Sequence, residues 1–113
     1  MAYEDALTVV ASAARTTTGN SNPVRASNPA SNLSLLVDVT AVSGTPNLVL
    51  EVQWSMDGTV FASTDTPDVF AAITTATPKL KTFPMRAPFY RLVWTITGGT
   101  PSLTFSIARY LTG

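Results

Sequence analysis

Apolar and polar residues alternate along four stretches of this chain, and this pattern dominates the sequence. A period of two is typical of a β-strand that buries one face. The pattern predicts strands over residues 33–42, 47–56, 89–97 and 102–111. The apolar positions that define them are Leu35, Val37, Val39, Leu48, Leu50, Val52, Tyr90, Leu92, Trp94, Leu103, Phe105 and Ile107.

The segment Gly44-Thr45-Pro46 separates the first two strands, and it returns 55 positions later as Gly99-Thr100-Pro101 between the last two. Glycine and proline are turn residues. The repeat therefore predicts one β-hairpin design used twice, with the first hairpin closed by residues 43–46.

Shorter strands are predicted at 7–14, 69–75 and 80–83. Asp57-Gly58 predicts a tight turn into residues 59–61. Pro67, Pro78 and Pro84 bound the later strands and indicate edge positions, because proline cannot donate to a ladder.

The expected fold is a single all-β domain over residues 1–113, an antiparallel β-sandwich of which the jelly roll is one form, built around the two similar hairpins. Helical periodicity is absent from the sequence. The matching inward positions predict a core that contains Trp54, Trp94, Leu50, Leu92, Phe105 and Ile107.

Residues 15–31 are rich in Thr, Ser, Asn, Gly and Pro, with breaker dipeptides at Asn22-Pro23 and Asn28-Pro29. A polar connection of this length is uncommon inside a compact domain. It is predicted to be a long loop or an intersubunit arm that becomes ordered only against a neighbour, so that deleting 17–26 would weaken association and leave the fold intact.

Composition argues against several classes of function. The net charge is zero, only 12% of residues are charged, and Cys and His are both missing. The absence of Cys excludes disulfides, and the absence of both Cys and His excludes the usual zinc ligands. The low charge means that the chain has no basic patch of the kind found in nucleic-acid-binding proteins. A weakly charged exterior rich in Ser and Thr suits a protein whose faces are covered by neighbours.

The sequence offers no signal for a membrane or for export. Met1–Asp5 is acidic where a signal peptide needs positive charge, and no apolar run reaches the length of a membrane span.

Candidate chemistry is sparse, so no catalytic, cofactor-binding or metal-binding residue is predicted, and the chain is not expected to be an enzyme. The seven carboxylates form no obvious glycosidase pair. Asp65 and Asp68 could offer oxygen ligands to calcium, but two carboxylates without a third ligand or a glycine turn favour a solvated loop instead. Glu51 and Arg91 are candidates for a cross-strand ion pair. Residues 55–61 are similar to an imperfect Asp-box turn, which indicates a hairpin.

The segments 12–20, 36–46, 55–58, 90–96 and 99–107 together resemble small virion proteins of tailed bacteriophages, which are short, cysteine-free, threonine-rich β-domains. The resemblance implies a structural role in an assembly, as a capsid decoration or cement protein or as an accessory protein of the head-tail junction or tail. It transfers no catalytic residue.

The expected function is therefore a non-enzymatic structural virion protein that decorates or cements a phage capsid. Its partners would be copies of itself and the major capsid or other virion proteins, without nucleic acid or membrane, in particles assembled in the host cytoplasm. The alternative is a module of a tail or head spike that binds a host glycan or receptor. Exposed aromatic residues would mark that module, and Phe61, Phe70 and Tyr110 are the candidates.

Overall fold

The computed structural model describes residues 7–26 and 31–112, and every regular element within them is a β-strand. Residues 1–6, which open the acidic N-terminus, and 27–30, which include Asn28-Pro29, lie outside the described part. The strands are β1 (Leu7–Arg15), β2 (Gly19–Asn20), β3 (Val24–Arg25), β4 (Asn32–Ser55), β5 (Asp68–Val69), β6 (Pro78–Pro84) and β7 (Phe89–Thr112).

Two long strands, β4 and β7, form the centre of a single antiparallel sheet. They pair along their whole length, from Asn32 opposite Thr112 to Ser55 opposite Phe89. β1, β2 and β3 pair with the other side of β7, and β5 and β6 pair with the other side of β4. The prediction of an antiparallel all-β fold is confirmed.

The sheet folds over on itself into two layers. A straight strand of 24 residues would be about 80 Å long, whereas the longest dimension of the molecule is 44 Å. Layer I consists of β1, β6 and residues 32–42 and 103–112. Layer II consists of β2, β3, β5 and residues 47–55 and 89–97. The ring centroids of Trp94 in layer II and Phe105 in layer I lie 5.6 Å apart, so the layers pack face to face as in a sandwich.

The two Gly-Thr-Pro segments lie opposite each other at the bend between the layers. Ser43 pairs with Ser102, and Thr45 pairs with Gly99. The predicted hairpins are therefore wrong: residues 33–42 do not pair with 47–56, and each long strand continues through its Gly-Thr-Pro segment. The repeat marks the matching bends of two strands that pair with each other.

The hairpins were predicted wrongly because a sharp bend and a tight turn both require glycine. Gly44 and Gly98 have φ angles of 70° and 117°, where side chains are strained. A Cβ on Gly44 would overlap the carbonyl oxygen of Thr100, and one on Gly98 would overlap that of Thr45. The register also slips by one residue between Val39 and Ala41 and returns after Ser43, as at a β-bulge.

The slip changes which residues of β4 face the core. Odd-numbered positions from 33 to 39 are buried before the bend, and even-numbered positions from 46 to 54 are buried after it. The predicted core is confirmed: Leu50, Leu92, Phe105 and Ile107 have no exposed surface, and Trp54 and Trp94 are 6% and 8% exposed.

The described part of segment 15–31 runs along the edge of β7 in its own chain. Gly19 pairs with Trp94, and Val24 pairs with Tyr90. The hydroxyl of Ser21 accepts the N–H of Leu92 at 2.9 Å. The expectation that this segment orders only against a neighbour is therefore wrong for these residues, because their backbone groups find partners on β7. A role in contacts between subunits stays a prediction.

The shorter predicted elements are confirmed in part. β1 and the edge strand β6 form where expected. The predicted strand 69–75 is reduced to β5 and a single bridge from Ile73 to Leu48. The turn at Asp57-Gly58 is present, and it returns the chain to β4 through one bridge between Ala62 and Trp54.

Candidate functional site

A groove opens at the end of the sandwich that lies away from the bend. It is formed where β4 ends and where the connection from β6 to β7 crosses between the layers. Its volume is about 380 Å³, within the range of ligand-binding clefts. It is lined by Trp54, Ser55, Met56, Asp57, Val60, Ala62, Ser63, Thr64, Arg86 and Ala87.

A buried carboxylate organises one wall of this groove. Asp68 is 7% exposed, and its Oδ2 accepts the indole N–H of Trp54 at 2.9 Å. Arg86 donates to both carboxylate oxygens of Asp68, from Nε at 2.6 Å and from Nη2 at 3.0 Å. Burial by itself would raise the pKa of Asp68, but these hydrogen bonds and the charges of Arg86 and Lys81 hold it below its ordinary value.

The opposite wall is a turn that its own side chains hold rigid. The hydroxyl of Ser55 accepts the N–H of Gly58 at 2.9 Å. Oδ1 of Asp57 accepts the N–H groups of Thr59 and Val60 at 2.9 and 3.0 Å. These backbone hydrogen bonds, with that of the Ser55 hydroxyl, lower the pKa of Asp57. The turn holds Met56 and Val60 outward, where they are 77% and 71% exposed.

A second surface lies on the outer face of layer I. Leu36 is opposite Leu80 on one side and Ala108 on the other, so the three form an apolar row across the strands. Ser34, Thr82 and Tyr110 form the next row, with 2.8 Å between the hydroxyl oxygens of Ser34 and Thr82. A shallow cavity of about 200 Å³ lies between the two rows.

The outer face of layer I carries little charge. The outward residues on β4, β6 and β7 near this cavity are aliphatic, aromatic or hydroxyl-bearing, and Asp38 is the charged residue among them. Leu80 is 71% exposed and Leu36 is 39% exposed. We call Leu36, Leu80 and Ala108 the face patch.

The three aromatic residues considered for glycan stacking lie in different surroundings. Phe70 is 5% exposed and packs against Phe83 in the core, so that candidate is wrong. Phe61 is half-buried, and the guanidinium of Arg91 lies 4.7 Å from its ring centroid. Tyr110 is half-buried on the outer face of layer I.

The structure does not bring Glu51 and Arg91 together. Arg91 lies opposite Gln53 and donates from Nε to its Oε1 at 2.9 Å, while Glu51 lies opposite Val93. The suggested cross-strand ion pair is therefore wrong. The register explains the difference, because each of the two residues faces a different partner across the ladder.

Sequence reasoning missed the contact of Arg86 with Asp68, and it assigned Asp68 to a solvated loop. The two residues are 18 positions apart, and no local pattern joins them. The exposure of Met56 and Val60 could have been predicted from the sequence, since both lie beside the predicted Asp57-Gly58 turn.

Within the described ranges, no group of three or more carboxylates is arranged to hold a metal ion. The same residues contain no helix with the length and apolarity to cross a membrane. Searches for similar proteins found no family model, no curated protein and no solved structure that matches this chain.

Proposed function

We propose that this chain is a non-enzymatic structural protein of a tailed-bacteriophage virion, which decorates or cements the capsid through contacts with copies of itself and with the major capsid or another virion protein. The observation that carries the proposal is the outer face of layer I, where the exposed face patch lies among hydroxyl groups with a single carboxylate nearby. Such a surface can be buried against another protein at little cost in desolvated charge.

The architecture also supports a role in bearing load within an assembly. β4 and β7 pass through both layers without interruption, so the layers are joined by continuous backbone as well as by packing. A subunit that bridges its neighbours contributes through many copies, and each contact can be weak while the assembled shell gains stability.

The test is to add the pure protein to capsids assembled without it. We expect the protein to bind along the shell and to raise the tolerance of the shell to heat and osmotic shock. Leu80→Lys should abolish both effects, because it places a charge in the face patch. Thr75→Lys adds the same charge at an exposed residue elsewhere and should leave both effects unchanged.

Two results would count against cementing. The first is an absence of shell affinity in the wild-type protein. The second is binding confined to the portal end of the capsid, which would keep a structural role but assign it to the head-tail junction.

Because the outer face of layer I is poor in charge, binding to the shell should weaken only modestly between about 0.1 and 0.5 M salt.

The second candidate function is a module that binds a host glycan or receptor, and the groove beside Trp54 is the observation that favours it. The groove has the volume of a ligand site, and its turn and buried carboxylate are held by hydrogen bonds. Binding of a defined glycan by the wild-type protein, lost in Ala87→Trp, which fills the groove, would support this function over cementing.

A further inference from the structure

One wall of the groove beside Trp54 presents hydrogen-bond donors that the fold does not use. Arg86 turns the edge of its guanidinium formed by Nε and Nη2 toward Asp68. The guanidinium is planar and its N–H groups are fixed in direction, so those on Nη1 point away from that carboxylate. Nη1 has no acceptor among the described residues, and the Arg86 side chain is 40% exposed. Arg86 therefore offers donors to the groove that it lines.

The opposite wall presents an acceptor. The hydroxyl of Ser55 and the N–H groups of Thr59 and Val60 all donate to Oδ1 of Asp57. Oδ2 of this exposed carboxylate is left for a ligand. The same hydrogen bonds lower the pKa of Asp57, so its carboxylate is ionised at neutral pH and can only accept hydrogen bonds.

The rest of the lining is largely apolar and limits the charge of a ligand. The positive charge of Arg86 is already paired with Asp68. An anionic ligand would therefore meet the negative charge of Asp57 without a compensating cation, which disfavours it. The apolar side chains of the lining are Trp54, Met56, Val60, Ala62 and Ala87.

A secondary amide that carries a methyl group matches these walls. A trans amide is planar, and its C=O and N–H point in opposite directions. An amide lying across the groove can therefore accept a hydrogen bond from Nη1 of Arg86 on one side and donate one to Oδ2 of Asp57 on the other. Its methyl group would pack against the apolar part of the lining.

We propose that the groove binds the acetamido group of a neutral N-acetylated amino sugar, with Arg86 donating to its carbonyl oxygen and Asp57 accepting its N–H. The volume of about 380 Å³ is enough for one sugar ring with this substituent. Ser63 and Thr64 also line the groove, and their hydroxyls can bond to those of the ring. This inference rests on the second candidate function, in which the chain binds a host glycan.

A peptide also carries secondary amides, but the groove lacks the main-chain partners that an extended peptide uses. Such peptides commonly add a strand to an unpaired sheet edge. At the groove this edge of β4 is occupied: the N–H of Trp54 donates to the carbonyl oxygen of Ala62, and the N–H of Ala62 donates to that of Trp54, both at 2.9 Å. Recognition by side chains alone favours the sugar.

Binding of two matched sugars to the pure protein tests the inference. The probe is methyl N-acetyl-β-glucosaminide, and methyl β-glucoside is the analogue without the acetamido group. Calorimetry should give the probe a dissociation constant in the millimolar range, as for a ligand of this size. The analogue should bind about tenfold more weakly or worse, because it leaves Arg86 and Asp57 without partners. Saturation-transfer NMR should show the closest contact at the acetamido methyl group.

Three variants assign the binding to the groove. Asp57→Asn keeps a carbonyl oxygen for the turn but replaces Oδ2 with an NH₂ donor, so it should weaken binding of the probe about tenfold. Arg86→Lys retains the positive charge but loses the planar set of donors, and it should also weaken binding. Asp65→Asn is the matched control, because it removes the same charge at an exposed residue outside the lining and should leave binding unchanged. Unfolding in urea first establishes that each variant folds.

Three results would overturn the inference: a probe that does not bind at millimolar concentration, an analogue that binds as tightly as the probe, or equal effects of Asp57→Asn and Asp65→Asn. Equally tight binding of N-acetylalanine N-methylamide would also overturn it, because the groove would then recognise a peptide.

The outcome is separable from that of the proposed functions. A host glycan without N-acetyl groups that binds the wild-type protein and is lost in Ala87→Trp would retain the second candidate function and overturn this inference. None of these measurements involves a capsid, and the face patch shares no residue with the groove, so cementing is tested separately.

Discussion

The indole Nε1 of Trp54 donates a hydrogen bond to the buried Oδ2 of Asp68 at 2.9 Å, and this contact ties the core to the rim of the groove. Trp54 belongs to β4 and Asp68 to β5, and Arg86 joins them from the connection that precedes β7. Three segments that are distant in sequence therefore meet at one carboxylate.

Removing that carboxylate should destabilise the whole domain. Asp68→Ala leaves the indole N–H of Trp54 buried without its acceptor and removes the partner of Arg86. We expect a loss of about 2–3 kcal/mol in the free energy of unfolding, measured in urea. Asp65→Ala, an exposed change in the same connection, should alter it by less than about 0.5 kcal/mol. Equal effects of the two substitutions would contradict the role given to Asp68.

Stability should fall on the acid side of the pH scale. Asp57 and Asp68 both have a pKa below the ordinary value in the folded protein. A depressed carboxyl pKa contributes stability that is present above the unfolded pKa of about 3.9 and lost as the pH falls through the folded pKa. The chain has no histidine, so the urea midpoint should be nearly constant from about pH 5 to 8.

The measurement is a series of urea titrations from neutral pH to below about pH 4. Asp68→Asn should show a shallower loss of stability on the acid side than the wild-type protein. An acid limb of the same steepness in both proteins would show that Asp68 does not contribute to it.

The bend should tolerate side chains unequally at two adjacent glycines. Gly98→Ala places a Cβ against the carbonyl oxygen of Thr45 and requires a φ angle near 117°. We expect a loss of about 2–3 kcal/mol. At Gly99 the new Cβ would meet only the hydroxyl of Thr45, at 2.9 Å, which can rotate away. Gly99→Ala should therefore cost less, and the reverse order of unfolding free energies would argue against the described bend.

Arg15 should not be replaceable by lysine. Its guanidinium donates to the carbonyl oxygens of Ala11 at 2.8 Å, Ala13 at 3.1 Å and Phe105 at 2.7 Å. It also lies 5.1 Å from the ring centroid of Trp94. Burial lowers the pKa of Arg15. A lysine ammonium cannot reproduce the planar set of donors, so Arg15→Lys should cost about 1–3 kcal/mol.

The matched control is Arg25→Lys, since Arg25 is exposed and 5.8 Å from the ring centroid of Phe89. This change should be nearly neutral in thermal or urea unfolding. A loss as large as that of Arg15→Lys would mean that carbonyl contacts are not what distinguishes the two arginines.

Deleting residues 17–26 should unfold or strongly destabilise the protein. The deletion removes β2 and β3, and with them the hydroxyl groups of Thr18 and Ser21 that accept the N–H groups of Ile96 and Leu92. The milder change Ser21→Ala should cost about 1–3 kcal/mol, because it leaves a buried N–H without its acceptor. Circular dichroism and urea unfolding would check both, and a fully stable deletion variant would restore the arm hypothesis.

The strands and the core could be predicted from the sequence because the alternation of apolar and polar residues is a local signal. Leu50 and Phe105 lie inward as the pattern requires. Which strands pair with each other could not be predicted, because glycine at position 44 fits a tight turn and a bend equally well. What decides between them is the pairing of residue 39 with residue 105, which no local pattern reveals.

The candidate site was still less predictable. Arg86, Asp68 and Trp54 come together only after the sheet has folded over, and the outer face of layer I becomes continuous only when β4 has β6 on one side and β7 on the other. Low charge and a hydroxyl-rich composition indicated that uncharged faces would exist, but not which strands would carry them.

The position of β7 determines when this fold can form during synthesis. β7 supplies the hydrogen-bonding partner of β1, β2, β3 and β4, yet it occupies residues 89–112. Until that segment leaves the ribosome, the strands made earlier lack their main partner, and Asn32 must find a residue 80 positions away. Contacts of such long sequence separation make folding slow. The nascent chain will therefore expose its earlier apolar strands until β7 is available, and it is a candidate client for chaperones that shield such strands.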